Sequence, residues 1–245
     1  ILATRLHEAE ECSGAADLGT NGEIVVGDRR GLWVASTAAG PAFEGARISQ
    51  GMRAAPGAID RVTVDGTGLR THVVGGGAPR GLCGSGLVDA VRCGLELGAV
   101  APSGRLTPDP WLVRAPVALR QSDIRELQLA KGAIAAGLQV LLARAGQTAA
   151  GIRRFFLAGA FGNSLSADSA RRIGLLPFAE DAITSAGNAA LLGAKMALFL
   201  PADGANLGRG LLPPVTHVSL ELDPGFQDRF ADEMGFPESL AGVRR

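Results

Sequence analysis

The stretch DLGTNGE, residues 17–23, stands between the apolar runs SGAADL and IVVG. Asn21-Gly22 is the dipeptide most typical of a tight turn between antiparallel strands, so the sequence predicts a β-hairpin here. A third strand-like run, GLWVAST, follows after DRRG. The three runs together predict an antiparallel meander near the start of the chain.

The hairpin also carries groups that can bind a phosphorylated ligand. Backbone N–H groups in a glycine-containing turn can point at phosphate oxygens, and Thr20 adds a hydroxyl. Asp17 can hold Mg²⁺ directly or through water, while Glu23 on the next strand can orient a water molecule. The alternative from this motif alone is a plain hairpin in which Asp17 accepts hydrogen bonds from turn amides.

The rest of the chain alternates helical and extended patterns. Pro41 to Gly51 reads as a helix, and so does the opening segment ILATRLHEAEE. The longest predicted helix starts at the Ser122-Asp123 cap and ends near Gly146. The other predicted elements are the strands in RVTVDGTGLRTHVVGG, FFLA, AITSAG and THVSLEL, the helices in SGLVDAVRCGLELGAV, SADSARRIGLL, GNAALLGAKMALFL and after Asp223-Pro224, and an irregular region over 101–120. This order predicts an α/β fold with a mixed sheet.

Three further segments contain candidate ligand contacts. In FFLAGAFGN, small residues Gly159, Gly162 and Asn163 at a strand end would let a flat ligand approach the backbone, or would simply form a turn. In GLCGSG, Ser85 stands at a helix start, where it could line an anion site or cap the helix. Gln128 and Lys131 lie three apart and so share a helix face.

Bulk composition excludes several functional classes. The chain of 245 residues has 24 basic and 24 acidic residues, so no net charge draws it to nucleic acid or to a membrane surface. No apolar run reaches the roughly 20 residues of a membrane span. Cys12, Cys83 and Cys93 are too scattered for a disulfide framework or a metal motif, which favours reduced thiols and a cytoplasmic location. Because the chain starts with Ile1, we expect a piece of a longer polypeptide.

The hairpin, the glycine turn after FFLA and the Gly/Ala-rich helix GNAALLGAKMA occur in the order that resembles the second lobe of the superfamily of sugar kinases, actin and seventy-kilodalton heat-shock chaperones. The strings DLGTNGEIVVG, AAGPAFEGARISQGMRAAPGAI, GLCGSGLVDAV, DIRELQLAKGAIAAG and LAGAFGN narrow the resemblance. They are similar to the C-terminal region of the ATP-dependent reductive activators of corrinoid proteins, over nearly the whole chain. The resemblance implies a ribonuclease H-like, actin-like ATPase lobe with flanking helices over residues 1–245.

The resemblance also implies a function. Members of that family use ATP to reduce an inactive Co(II) corrinoid to Co(I) on a methyltransferase partner, and they carry an N-terminal [2Fe–2S] domain and a first ATPase lobe. Neither part is in this chain, so the chain alone should bind ATP weakly or not at all. A corrinoid protein is the expected partner, and a homodimer is a further expectation.

Individual site residues carry over from the resemblance. Asp17, Gly19, Thr20, Asn21 and Gly22 become the hairpin for phosphate and Mg²⁺, with Asp17 the metal ligand. Asp17 and the water-orienting Glu23 are the predicted catalytic residues. GPAFEGA, with Glu44, would lie where the lobe meets its ligand or its partner, unless Glu44 is simply an exposed acid. Gly159, Gly162 and Asn163 become the adenosine turn. Gln128 and Lys131 lie on the helix that faces the adenine.

Two other functions stay open at the level of sequence. The same lobe could transfer phosphate to a small molecule as a kinase, although no substrate pocket or general base is evident. It could also be a non-enzymatic module that binds a corrinoid protein and keeps its ATP motifs as relics.

Overall fold

The computed structural model describes residues 1–200 and 212–238. Within those ranges eleven strands form three sheets: β1 (Ser13–Leu18), β2 (Gly22–Asp28), β3 (Gly31–Thr37), β4 (Ala58–Asp65), β5 (Gly68–Val73), β6 (Gly81–Leu82), β7 (Trp111–Arg114), β8 (Val117–Leu119), β9 (Phe155–Ala158), β10 (Ile183–Gly187) and β11 (Val215–His217). The main sheet has the order β10-β9-β1-β2-β3-β11, and the smaller sheets are β5-β4-β6 and β7-β8.

Six α-helices lie in the same described ranges: α1 (Gly84–Leu97), α2 (Gln121–Arg144), α3 (Gly159–Ser164), α4 (Ala167–Arg172), α5 (Ala189–Ala197) and α6 (Phe226–Glu233). The long helix α2 packs on β2 and β3. A side chain at Gly137 would lie 2.6 Å from Thr37, so the glycine allows this close approach. Helix α6 in turn packs on α2.

The main sheet is mixed, as the sequence predicts. β1 pairs with β2 in antiparallel register, with Asp17 opposite Glu23, whereas β9 runs parallel to β1, with Ala158 opposite Asp17. β10 is parallel to β9. Because parallel strands end at the same edge of a sheet, this topology brings the hairpin after β1, the glycine turn after β9 and the start of α5 to one edge.

Residues 38–119 form an insertion between β3 and α2, which contains both small sheets and α1. The insertion returns to the main sheet through α2. Asp123 fixes this junction, because its carboxylate accepts hydrogen bonds from the backbone N–H groups of Arg120 and Ser49 and from the Ser49 hydroxyl. Asp123 is therefore the third residue of the helix in a capping box with Arg120, rather than the cap that the sequence predicts.

Several predicted elements are shorter than expected. The Pro41 segment forms only a 3₁₀ turn, Pro41–Glu44, because the backbone turns left-handed at Gly45 and Arg47. The opening segment is helical only over Leu6–Glu8 in a 3₁₀ turn. The strand predicted in THVSLEL ends at His217, since buried Leu220 turns into the core.

Candidate functional site

The hairpin forms as the sequence predicts, but its turn is displaced by a residue. Leu18 pairs with Gly22, so the connection consists of Gly19, Thr20 and Asn21, and the Gly19 N–H donates to the carbonyl of Asn21 at 3.0 Å. No other described residue accepts a hydrogen bond from the N–H groups of Thr20 and Asn21. These two donors at the tip are available to an anion.

The turn after β9 lies directly against Asp17. Gly159 has a φ of 87°, a left-handed conformation that favours glycine. A Cβ at this position would lie 2.5 Å from Asp17 Oδ1 and 2.9 Å from the carbonyl oxygen of Leu18. Only glycine therefore allows the turn to pass this close to the carboxylate.

Gly162 and Asn163 follow in α3. Gly162 is buried beside the backbone of Leu157, so it serves the packing of α3 on β9. The side chain of Asn163 lies outside the part of the chain that the structure describes, and its predicted role in the adenosine turn stays a prediction.

A cavity of about 490 Å³ opens between the hairpin, the turn at Gly159 and the insertion. Its charged lining groups are the carboxylates of Asp17 and Glu44 and the guanidinium of Arg53. The other lining residues are Leu18, Gly19, Phe43, Met52, Ala54, Cys83, Gly84, Ser85, Gly159, Phe161 and Ser164. The cavity thus offers an apolar wall for a flat group and polar groups for a charged one.

The insertion supplies much of this cavity. The Phe43 ring stacks on Phe161 of α3, with centroids 4.4 Å apart. Arg53 is exposed at the cavity, and its side chain forms no ion pair or hydrogen bond with another described residue. The sequence does not predict Phe43 and Arg53 as site residues, because only the path of the folded insertion brings them to the cavity.

The structure also settles the local role of Ser85. The residue that caps α1 is Cys83, and its side chain makes no capping hydrogen bond. The Ser85 hydroxyl donates to the carbonyl of Asp60 at 2.9 Å, so Ser85 ties α1 to β4. The Cys83 thiol is buried, 3.4 Å from Ser85 Oγ.

Glu23 lies apart from the first cavity. It lines a second cavity of about 560 Å³ on the open face of β1, β2 and β3, together with Asp17, His217 and the first residues of α5. Asp17 is common to both cavities. The predicted use of Glu23 to orient water stays a prediction, and the structure brings it near Asp17 only across the strand pair.

Gln128 does not line either cavity, in contrast to its predicted nucleotide contact. Its side chain is 3% exposed. The Nε2 group donates to the carbonyl oxygens of Met234, at 2.8 Å, and of Ser103, at 3.2 Å, and Oε1 accepts from Arg125. Gln128 thus joins the chain after α6 to the loop between α1 and β7, and the structure gives it a packing role.

The predicted nucleotide contact of Lys131 is not seen either. It is 1% exposed beneath α6, with Nζ 3.7 Å from Glu233 Oε2 and 3.5 Å from the carbonyl oxygen of Gly174. The Phe236 ring lies 5.8 Å away. Burial lowers the pKa of Lys131 to about 8, an effect that Glu233 partly opposes. A buried amine held by these groups cannot reach the cavity at Asp17.

Among residues 1–200 and 212–238, no group of three or more His, Cys, Asp or Glu side chains is arranged to hold a metal ion. A magnesium ion that is bound mainly by ligand phosphates and one carboxylate does not need such a cluster. The same ranges contain no helix with the length and hydrophobicity of a membrane span.

The sequence and the fold match known proteins. A family model described as the C-terminal domain of RACo, the ASKHA domain, matches residues 11–243. The corrinoid activation enzyme RamQ of Eubacterium limosum is 35% identical in an alignment of 253 residues, gaps included, that covers 91% of this chain and 42% of that protein. The [Co(II) methylated amine-specific corrinoid protein] reductase of Methanosarcina barkeri is 31% identical over 78% of this chain and 39% of that protein.

A solved structure is similar as well. The reductive activator for corrinoid, iron–sulfur protein superposes with a TM-score of 0.83 and 32% identity, over 96% of this chain and 41% of that one. The chain therefore spans about two fifths of the length of the relatives that it matches.

Proposed function

Since the chain belongs to the family of C-terminal ASKHA domains typified by RACo, we propose that it is the second, nucleotide-binding lobe of an ATP-dependent reductive activator of corrinoid proteins. The predicted α/β fold and the predicted family are both confirmed by this match and by the superposition on a reductive activator. The whole protein would reduce Co(II) corrinoid to Co(I) on a corrinoid protein of a methyltransferase system.

The observation that carries the proposal is that the first residues of the hairpin, Asp17 to Gly19, and the Gly159 turn line one cavity, with the hairpin tip next to it in the chain. The Thr20 and Asn21 N–H groups have no acceptor among the described residues, so they would bind phosphate oxygens. Gly159 passes so close to Asp17 that a side chain there would clash, and the turn thereby forms one wall of the cavity. The apolar wall with Phe43 and Phe161 suits a nucleoside.

The residues that line the cavity have the chemistry to bind Mg²⁺ together with ATP. Asp17 is a single carboxylate at the cavity, and Mg²⁺ with a nucleotide is usually held by one or two carboxylates together with phosphates and water. Asp17 would hold the ion, and the hairpin amides and Arg53 would bind the phosphates. The nucleotide with its ion would supply the binding free energy for a change of conformation in the whole protein.

A [2Fe–2S] cluster would have to lie outside residues 1–245. A plant-type cluster needs four thiolates, whereas the chain has Cys12, Cys83 and Cys93, of which the last two are buried. We propose that the N-terminal cluster domain and the first ATPase lobe occupy the part of the full protein that corresponds to the unmatched three fifths of its relatives.

The nucleotide would act by shifting a conformational equilibrium. A ligand shifts the equilibrium between two conformations only as far as its affinities for the two differ. A nucleotide gripped by this lobe and by a first lobe would favour the closed state, and a closed state that binds the corrinoid partner would change the coordination of cobalt. The cluster of the full protein would supply the one electron that reduces Co(II) to Co(I).

We also propose a cytoplasmic location and a homodimeric state for the protein. Three free cysteines and no disulfide fit a cytoplasmic location. A homodimer is also proposed, because α5 and the residues after it expose a run of large apolar side chains, including Leu191 at 51% and Phe199 at 88%.

The test uses the full-length protein with Asp17→Ala. We expect ATP-dependent formation of Co(I), followed by absorbance of the corrinoid, to fall at least about 100-fold, since a metal-binding carboxylate is lost. Asp181→Ala is the matched control, because Asp181 is exposed at the opposite end of β10. Unchanged ATP dependence in Asp17→Ala would contradict the proposal and favour a binding module. A phosphorylated small molecule as product would favour a kinase instead.

A further inference from the structure

A hydrogen bond connects the tip of the hairpin to the insertion. The Thr20 hydroxyl donates to Glu44 Oε1 at 2.7 Å. Glu44 is exposed and lines the first cavity beside Asp17 and Gly19. The carboxylate therefore lies next to the donors that would receive a phosphate.

The backbone around Glu44 is held in place. The preceding residue, Phe43, is 2% exposed and stacks on Phe161 of α3. On its other side, a Cβ on Gly84 would lie 2.0 Å from the carbonyl oxygen of Phe43, so α1 is in direct contact with this turn. Glu44 cannot leave the cavity without a movement of packed groups, although its side chain can rotate.

A phosphate bound to the Thr20 N–H would come close to the Glu44 carboxylate, because both would contact the same residue. Like charges at such range repel. Arg53 is the cation among the lining residues, and Asp17 adds a second negative charge to the wall. Two carboxylates and one cation leave the cavity negative, which opposes a bare phosphate and favours a phosphate that arrives with a divalent cation.

We propose that Glu44 is a specificity-determining residue that makes nucleotide binding depend on the accompanying divalent cation. The inference rests on the proposed nucleotide function of the same cavity. The Glu44 carboxylate repels metal-free nucleotide phosphates from the hairpin tip, whereas a nucleotide that carries Mg²⁺ is bound without this penalty. Glu44 acts on the ligand through charge and on the hairpin through the Thr20 hydroxyl.

The experiment measures the dissociation constant of ADP by calorimetry for the full-length protein, with excess Mg²⁺ and with EDTA. In Glu44→Gln we expect ADP in EDTA to bind about tenfold more tightly than in the wild type, and ADP with Mg²⁺ to change less than about threefold, since an exposed charge is partly screened. The ratio of the two constants therefore shrinks.

Two variants separate charge from structure. Thr20→Val removes the hydrogen bond and keeps the carboxylate, so the dependence on Mg²⁺ should persist even if overall affinity falls. Glu180→Gln makes the same charge change at an exposed residue at the start of β10, away from the cavity, and should leave both constants unchanged. Glu44→Ala should repeat the Glu44→Gln result, which guards against an effect of the new amide.

The outcomes are distinguishable. An unchanged ratio in Glu44→Gln and Glu44→Ala would overturn the inference and leave the proposed function standing. Loss of Mg²⁺–ADP binding by tenfold or more in Glu44→Gln would overturn it in another way, because Glu44 would then be a metal ligand. If the wild-type protein binds ADP under neither condition, the proposed function fails and the inference fails with it.

Discussion

Replacement of Lys131 by Met tests the assignment of this residue to packing rather than to nucleotide binding. Burial lowers its pKa from the model-peptide value of 10.5 to about 8. The lysine therefore binds its proton more weakly in the folded chain than in the unfolded chain. Below pH 8 both states carry the proton, and the pKa difference of about 2.5 makes folding less favourable by about 3 kcal/mol.

The destabilisation by Lys131 becomes smaller as the pH rises. Between pH 8 and 10.5 the unfolded chain binds more protons, so the contribution of Lys131 to stability becomes more favourable as the pH rises. From pH 7 to 9.5 the relief amounts to about 2 kcal/mol. In Lys131→Met this relief is absent, so the difference in free energy of unfolding between wild type and variant should change by that amount over the interval.

Urea denaturation at several pH values measures the difference. The control is Lys195→Met, since Lys195 is the other lysine of the chain and is exposed on α5. A difference between wild type and Lys131→Met that stays constant from pH 7 to 9.5 would refute the reasoning. A tenfold loss of ADP affinity in Lys131→Met would refute the packing role itself and restore the contact that the sequence predicts.

Three further predictions concern stability and reactivity. Gly159→Ala should lower the free energy of unfolding, measured by urea denaturation, by at least about 2 kcal/mol, because it places a Cβ against the Asp17 carboxylate at a left-handed φ. The control Gly66→Ala, at a φ of 62° in open space, should lower it by about 1 kcal/mol. Equal losses in the two variants would contradict the close approach of Gly159 to Asp17. Ser169→Ala should cost about 2 kcal/mol, since its hydroxyl donates to the buried Asp89 carboxylate at 2.6 Å, and a cost below about 0.5 kcal/mol would contradict this. Burial raises the pKa of Cys93 to about 11, so mass spectrometry should find it modified by a thiol reagent at pH 8 only when the chain unfolds; rapid labelling of the native chain would contradict this.

Local signals in the sequence were enough for the elements at the edge of the sheet. The hairpin at residues 17–23 is encoded by its own turn residues, and β9 by a short apolar run that ends at Gly159. Parallel pairing then places both at one edge by topology alone. The turn was nevertheless one residue off, because Asn21-Gly22 favours a two-residue connection and the strand pairing uses three residues.

Contacts between distant parts of the chain could not be predicted in this way. The helical period places Gln128 and Lys131 on one face of α2, but it does not say which element covers that face. The cover comes from α6 and the chain after it, about a hundred residues later, through Met234 and Glu233. Arg53 was missed for the same reason, since the path of the insertion brings it to the cavity.

The contacts of the hairpin indicate where a ligand-driven movement can begin. The base of the hairpin is fixed, because Gly22 pairs with Leu18 and its carbonyl accepts a hydrogen bond from the Thr37 hydroxyl on β3. The tip is joined to the insertion through the side-chain bond from Thr20 to Glu44. A phosphate at the tip would disturb that bond before it moved the sheet. The first change on binding should therefore be a rotation of the Glu44 side chain, because the backbone beside it is held by Phe43 and α1.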